Sequence, residues 1–535
     1  MKAPLVVIGL DAFDPDLARR WAGAGELPTL AGLLESGAHC PVRNPFGLFV
    51  GALWISFASA ARPHRTRYHC WDEIDPATYR WRLVEPKPQL YEPFWSRIAA
   101  AGRRVAAIDV PHARAKLEGA ALELFEWGCH DRHFGLHSAP AGLAGALSAE
   151  FGFHPVLGPQ PWRERHFSPD DFFARKGRGA RGPAEEGRLT RAMVAGVTAK
   201  GKMLRALLAR QDWDLFLAVF GDGHAIGHQQ WHLHDETHPR FDAAARDAAG
   251  GDPILRVYKA IDAEVGRLIA DLPRDATIML HLSHGMTAHH DGTHLLDELL
   301  ARLDGEIGGP VRRAARPLLP ALQHAAARLG LPIGLSSAIG QALRGDRAAA
   351  RARRRFFAEP NNSVYGGIRF NLCGREPRGH VRPEELDGLI AMLEQELLAV
   401  TNVATGRPAV IALHRCARHH RRAPDDAMPD LFVEWERSAP IETVFSPTVG
   451  TLCTRYTHWR TGDHTPEGLL IASGPGLAAG AGMPGLEVED LGPSIAARLG
   501  INLDDVDGRA AAWLAFVPPV SRLSAPALAT AAPLR

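Results

Sequence analysis

Six near-continuous apolar runs dictate what this chain can fold into. They are PLVVIGLDAFD (4–14), RRVAAIDVP (103–111), WDLFLAVFGD (213–222), ATIMLHLSHG (276–285), DLFVEWE (430–436) and EGLLIASGPG (467–476). A run without polar alternation predicts a strand covered on both faces, the usual case in parallel sheets. Stretches of helical period fall between them. Examples are PDLARRWAGAGELPTLAGLLESG with Gly37 as its C-cap, residues 187–211 and residues 254–272. The alternation predicts the α/β class, with a mostly parallel central sheet flanked by helices and interrupted by cap or insertion segments. Such sheets bind ligands beyond the carboxyl ends of their strands. Four runs border polar or histidine-bearing loops: Asp11, Asp222 to His228, Ser283 with His284, and His464 just ahead of its strand.

The chain's 535 residues exceed the size at which one core stops growing, roughly 250–300 residues, so insertions or a second domain are expected. We expect a catalytic α/β domain from 1–120 and 187–515, a cap or insertion at 121–186, a helical insertion at 305–358 and a flexible Pro/Ala-rich tail at 516–535. The Arg-rich run near 350 reads as a solvated helix face before it reads as a binding patch. Lys+Arg is 61 and Asp+Glu is 60, a balance that argues against an obligate nucleic-acid partner. The six cysteines are far apart and form no CxxC pair, which predicts a reducing, cytoplasmic setting. The first run is too short for a signal peptide's apolar core followed by a cleavage site. No run approaches the ~20 apolar residues of a membrane span. Oligomeric state is not legible.

The residues GDGHAIGHQQWHLHDETHP (221–239) hold five histidines: His224, His228, His232, His234 and His238. Imidazole is the commonest metal ligand. His224 and His228, four apart, share one side of a helical turn and can share a metal. The protease motif H-E-x-x-H needs a glutamate where this chain has Ala225, so a protease is disfavoured. A polar loop with satisfied histidines is the plainer reading of this stretch alone. In ALWISFASAARPH (52–64), Ser56 sits where a hydroxyl before a helix can act as nucleophile, although such a serine is more often a helix cap. LSHGM (282–286) and TGDHTPEG (461–468) each put a histidine beside glycine at a strand edge.

In order along the chain, these pieces resemble the alkaline phosphatase superfamily, in its type I phosphodiesterase/nucleotide pyrophosphatase-like branch. VVIGLDAFD is similar to the first metal-ligand aspartate loop, WISFASAARP to the nucleophile segment, HAIGH to D-x-x-G-H, LSHGM to S-D-H-G-M, and GDHTPEGLLIASGPG to the stretch with the last histidine. IRFNLCGREPRGHV (368–381) resembles a segment of bacterial members. The resemblance implies a phosphodiesterase or phosphatase using one or two divalent ions, usually zinc with manganese possible, and a small phosphorylated substrate. It implies Ser56 as the nucleophile that forms a phosphoserine. It implies one metal on His224, His228 and His464, and another on Asp11, Ser56 and His284.

Two of the family's aspartates are absent: His224 and Ser283 stand in their places. Losing both carboxylates leaves a two-metal site about two charges more positive. Asp222, Asp291 and Asp463 are the acids that could substitute, with His289, His290 and His294 nearby, and His232 could orient a ligand. The alternatives are a degraded relative that binds an anionic or phosphorylated ligand, or a transferase of phospho- or sulfo-groups on the same fold. A formylglycine-type sulfatase is disfavoured, since no C/S-x-P-x-R lies at the nucleophile position.

Overall fold

Val6, Ile8 and Leu10 pack on one side of the first strand, Leu5 and Val7 on the other, and all five are buried. That two-sided burial is what the unbroken apolar run requires. The computed structural model describes residues 5–87, 90–116, 122–161, 181–305, 347–361, 364–423, 426–454 and 460–515. The main sheet contains β1 (Leu5–Leu10), β2 (Ala38–Arg43), β3 (Val105–Ile108), β4 (Leu122–Phe125), β5 (His137–Ala139), β6 (Leu215–Phe220), β7 (Thr277–Leu282), β8 (Glu467–Ser473) and β9 (Leu486–Glu487). Its order is β9-β2-β8-β7-β1-β6-β3-β4-β5. The run β7-β1-β6-β3-β4 is parallel throughout. β8 enters antiparallel between β7 and β2. Register brings Leu10, Phe220 and Leu282 level, so the loops after β1, β6 and β7 leave the same edge. The loop that leads into antiparallel β8 arrives at that edge too, with Leu469 opposite Leu282.

Helices cover both faces. On the side of Leu5 and Val7 lies α1 (Phe49–Ser59), through Leu53, Trp54 and Phe57. On the side of Val6 and Ile8 lie α2 (Pro183–Leu208), α3 (Asp222–His234) and α4 (Pro253–Ala270). α3 starts two residues after β6, and all of it but His234 is buried. A second lobe has a four-stranded antiparallel sheet in the order Phe356–Glu359, Tyr365–Phe370, Leu431–Trp435, Val410–Arg415. The helices Thr293–Leu303 and Leu386–Leu398 share its apolar core.

Several boundaries differ from expectation. The helical stretch before Gly37 is two helices, Pro15–Gly23 and Pro28–Ser36, because Pro28 begins a new one and Asp14 caps the first. Within the expected cap 121–186, β4 and β5 extend the main sheet, with Leu122 to Phe125 all buried against β3, while 121 and 162–180 lie outside the described residues. Of the expected insertion 305–358, residues 347–358 join the second lobe, through a short helix and its first strand, while 306–346 lie outside the described residues. The tail 516–535 also lies outside them. DLFVEWE is an antiparallel strand of the second lobe, not of the main sheet. Among the described residues no helix is long and apolar enough to cross a membrane.

Candidate functional site

Asp11 is the first residue beyond β1, and it is buried. Trp54 of α1 donates its indole N–H to the carboxylate Oδ1 at 2.7 Å, and His224 Nδ1 meets Oδ2 at 2.7 Å. Trp54 reaches that far because residue 9 is glycine. A Cβ there would lie 2.7 Å from the indole ring. The neighbouring strand ends carry left-handed backbone at residues other than glycine, with φ of 49° at Ala12, 55° at Asp109, 63° at His112 and 63° at Glu126. Such strain persists where the surrounding structure over-determines it, commonly at functional sites.

His224 and His228 lie one helical turn apart at the start of α3. His224 Nδ1 is committed to Asp11. His228 Nδ1 is committed to the carbonyl of Gly462 at 2.7 Å, an acceptor only, so it carries the hydrogen. Their remaining nitrogens, both Nε2, face each other at 3.0 Å. His228 Nε2 presents a lone pair, and either a proton on His224 Nε2 or a metal cation between the two nitrogens satisfies both. His464 packs against both, its ring centroid 4.7 Å from His224 and 4.6 Å from His228, and neither of its ring nitrogens has a hydrogen-bond partner among the described residues. His284 completes the group, 4.3 Å from His464 by ring centroid and with Nε2 3.8 Å from Asp11 Oδ1. The pairing of Gly285–Ala288 with Gly462–Thr465 sets this approach, Met286 lying opposite His464.

Burial pushes the His228 and His464 imidazoles well below their ordinary range, and neighbouring cationic groups add to it. His284 is pushed down to about 4, by burial first. Burial alone would raise the Asp11 carboxyl, but His224 by charge and hydrogen bond, with His284 and Trp54, outweighs it and holds Asp11 well below the carboxylate range. His228, His284 and His464 are thus held toward the neutral form beside one ionised carboxylate, the state in which these groups ligate. A second carboxylate stands at its edge. Asp463 shares a donor group with His228 and His464. Its Oδ2 is bound by His289 Nδ1 at 2.8 Å, while His289 Nε2 binds Asp291 at 2.6 Å. Burial would lower His289; the two carboxylates outweigh it and raise it to about 9.

The structure brings together Asp11, His224, His228, His284 and His464, with Asp463 at the margin. The other expected residues lie elsewhere. Asp222 turns away from the cluster and binds His154 Nε2 at 2.9 Å. Asp291 reaches the site only through His289. Ser283 takes the amide hydrogen of Ala12 (3.1 Å) and lies 3.3 Å from Asp11 Oδ1, a brace for that carboxylate. His232 is redirected by a kink at Gln230 (φ −130°) toward Thr461 and Glu186. His234 binds Asp252, His238 stacks on His290, and His294 binds the carbonyl of Thr454.

Ser56 is not ahead of a helix but the eighth of eleven residues in α1, fully buried, its hydroxyl without a partner among the described residues. Two residues along a helix turn a side chain by about 200°, so Ser56 faces away from Trp54, the residue of α1 that touches Asp11. One residue escaped the sequence reading. His130, in the loop after β4, stacks on His224 with ring centroids 4.1 Å apart. No motif surrounds it; only the sheet order brings it near.

The donors suit a divalent transition metal. Zinc held by imidazole at ~2.0–2.1 Å separates two ligand nitrogens by about 3.3 Å in a tetrahedron, close to the His224–His228 spacing. Imidazole-rich sets favour zinc, copper, nickel or iron over magnesium or calcium.

A family model described as type I phosphodiesterase / nucleotide pyrophosphatase matches residues 5–462. No curated protein matches the sequence. Among solved structures, murine ectonucleotide pyrophosphatase / phosphodiesterase 5 is similar with a TM-score of 0.48 and 11% identity, over 94% of this chain and 97% of that one. An inactive variant of the murine protein in complex with AMP gives 0.48 and 10%, over 95% and 97%. The human protein gives 0.44 and 10%, over 94% and 97%.

Proposed function

The chain belongs to the type I phosphodiesterase / nucleotide pyrophosphatase family, and we propose that it is a divalent-metal-dependent phosphoester hydrolase whose metal is held chiefly by imidazole. The observation that carries this reading is the pair of facing Nε2 atoms 3.0 Å apart on His224 and His228, each ring's other nitrogen already committed. His464 is the third ligand. Asp11 orients His224 as carboxylates orient metal-ligating histidines. His284 presents Nε2 to the space beside Asp11. Zinc is the expected ion, with manganese weaker because the set is poor in oxygen. A divalent ion held there would supply Lewis-acid stabilisation of charge on a phosphoryl oxygen.

The protein's own groups bind and orient the phosphoester in a buried, water-poor edge of the sheet. With Ser56 facing away, water is the nucleophile: its oxygen bonds to phosphorus, the ester P–O bond breaks, and the proton leaves with the alcohol. The substrate is a small phosphorylated compound, and a nucleotide is in keeping with the family. The proposed setting is reducing and cytoplasmic, on the reading of six cysteines spaced too widely for a disulfide framework.

A second reading is binding without turnover, favoured by His224 and Ser283 standing where the family has carboxylates. The test is apo-protein reloaded with zinc or manganese, assayed with bis(p-nitrophenyl) phosphate and, separately, for thermal stabilisation by AMP. Metal uptake with turnover supports hydrolysis. Metal uptake with stabilisation but no turnover selects the second reading. Failure to bind metal refutes both.

A further inference from the structure

His130 has no place in the family's pattern, yet it lies beside the paired nitrogens. A ring nitrogen of His130 falls within 4.8 Å of donor nitrogens of both His224 and His228. Its ring is stacked on His224 at 4.1 Å and tilted to His228 at 5.2 Å.

The loop carrying His130 is fixed with unusual rigour. Asp109, in left-handed backbone after β3, accepts the amide hydrogens of Trp127 at 2.8 Å and Gly128 at 2.7 Å. Its carbonyl accepts the thiol of Cys129 at 3.0 Å. Lys200 of α2 clamps the same carboxylate at 2.6 Å, both side chains fully buried. On the other side the loop lies directly on the turn that starts α3. A Cβ at Gly221 would fall 2.7 Å from the carbonyl of Gly128 and 3.2 Å from the amide of His130. Three residues after that contact comes His224. The backbone approach that only glycine permits at 221 is what sets His130 over the His224–His228 pair.

We propose that His130 is a further metal ligand beside His224, His228 and His464, so that the carboxylate lost at position 224 is compensated by an imidazole from a different loop. The proposal rests on the metal-dependent reading above. It assigns the β4 loop, not a nearby acid, as the source of the compensating ligand, and makes the site selective for an imidazole-preferring ion.

The experiment measures zinc affinity of the full chain by competition with a chromogenic chelator, and the visible spectrum with cobalt(II), for wild type, His228→Ala and His130→Ala. Removing an outer residue that only orients a ligand costs about 10- to 100-fold in affinity. Loss of a ligand is therefore expected to exceed ~100-fold in His130→Ala, with a changed cobalt spectrum. Added imidazole should restore much of both, an effect that a loop-packing role would not show. If His130→Ala fails to fold by circular dichroism, His130→Gln takes its place. A loss below ~100-fold, an unchanged cobalt spectrum or no rescue by imidazole overturns the assignment of His130 while His228→Ala still marks a metal site. A wild-type chain that takes up neither zinc nor cobalt overturns the metal reading itself.

Discussion

Replacing Lys200 by methionine should be among the most damaging single changes available outside the site. Lys200 Nζ lies 2.6 Å from Asp109 Oδ2, and neither side chain reaches solvent. Burial would lower the amine, but Asp109, with Cys129 and Asp222, outweighs it and raises it, so the ammonium stays charged at neutral pH. Methionine fills nearly the same volume, so little of the cost comes from a cavity. What remains is a buried carboxylate left with two backbone N–H groups. Breaking one partner of a buried pair costs about 3–5 kcal/mol. Urea unfolding, with the slope held as a check, reads that loss. Asp109→Asn alone should be costly too, since it strands the ammonium. The double variant Lys200→Met/Asp109→Asn should fall short of the summed single losses by about 0.5–3 kcal/mol, the range for contacting groups. The same Lys200→Met protein should bind zinc about 10- to 100-fold more weakly, because the loop bearing His130 loses its clamp. A loss of stability under about 1 kcal/mol, or strictly additive single effects, would refute the reasoning.

Ser56→Ala should keep turnover and lose no stability. The hydroxyl is buried without a partner among the described residues, and deleting an unsatisfied polar group is neutral or gains up to about 1–3 kcal/mol. Abolished turnover in a folded Ser56→Ala protein would return the covalent route. Glu126→Gln should flatten part of the pH dependence. Burial raises the Glu126 carboxyl from 4.5 to about 7, so the folded chain keeps a proton that the unfolded chain releases. Stability from this group is present below pH 4.5 and lost as pH rises through about 7. The stability of Glu126→Gln relative to wild type should therefore grow by up to about 3 kcal/mol between pH 4.5 and 7.5; a constant difference across that range rules it out.

The main sheet was legible because its strands are covered on both faces, and an unbroken run such as LFLAVF leaves few alternatives. The second lobe was less so. Its strands are antiparallel, and the edge strand VIALHR, with only Val410 buried, has no apolar run to find. The strand LELF, inside the expected cap, was hard to read because it spans only four residues; its burial comes from β3, which the local sequence does not announce. At the site, Asp11, His224, His228, His284 and His464 were readable as an ordered set of motifs. Ser56 misled because small residues after a hydroxyl look like a helix start, whereas α1 begins at Phe49 and carries the serine into its last turn. Nothing local marks Asp463 as nearer the cluster than Asp222. Strand pairing decides it, as Asp463 stands opposite Thr287 while the Asp222 side chain meets His154 behind the sheet.

The exchange of aspartate for histidine at 224 also bears on how many ions the site can hold. A carboxylate there would face Asp11 as a like charge, and only cations between them would stabilise the pair. Imidazole reverses that relation: Nδ1 of His224 binds Asp11 Oδ2 directly at 2.7 Å. A metal on the Asp11 and His284 side would have to compete with that hydrogen bond and with the indole of Trp54 for the same carboxylate, and Ser283 adds a hydroxyl where the family has an acid. The His224–His228 side has the opposite character, with two Nε2 atoms 3.0 Å apart and, among the described residues, no carboxylate committed to either. The charge lost with two carboxylates and the hydrogen bonds gained by Asp11 thus favour a single ion on the imidazole side, with Asp11 serving as the group that fixes the tautomer of His224.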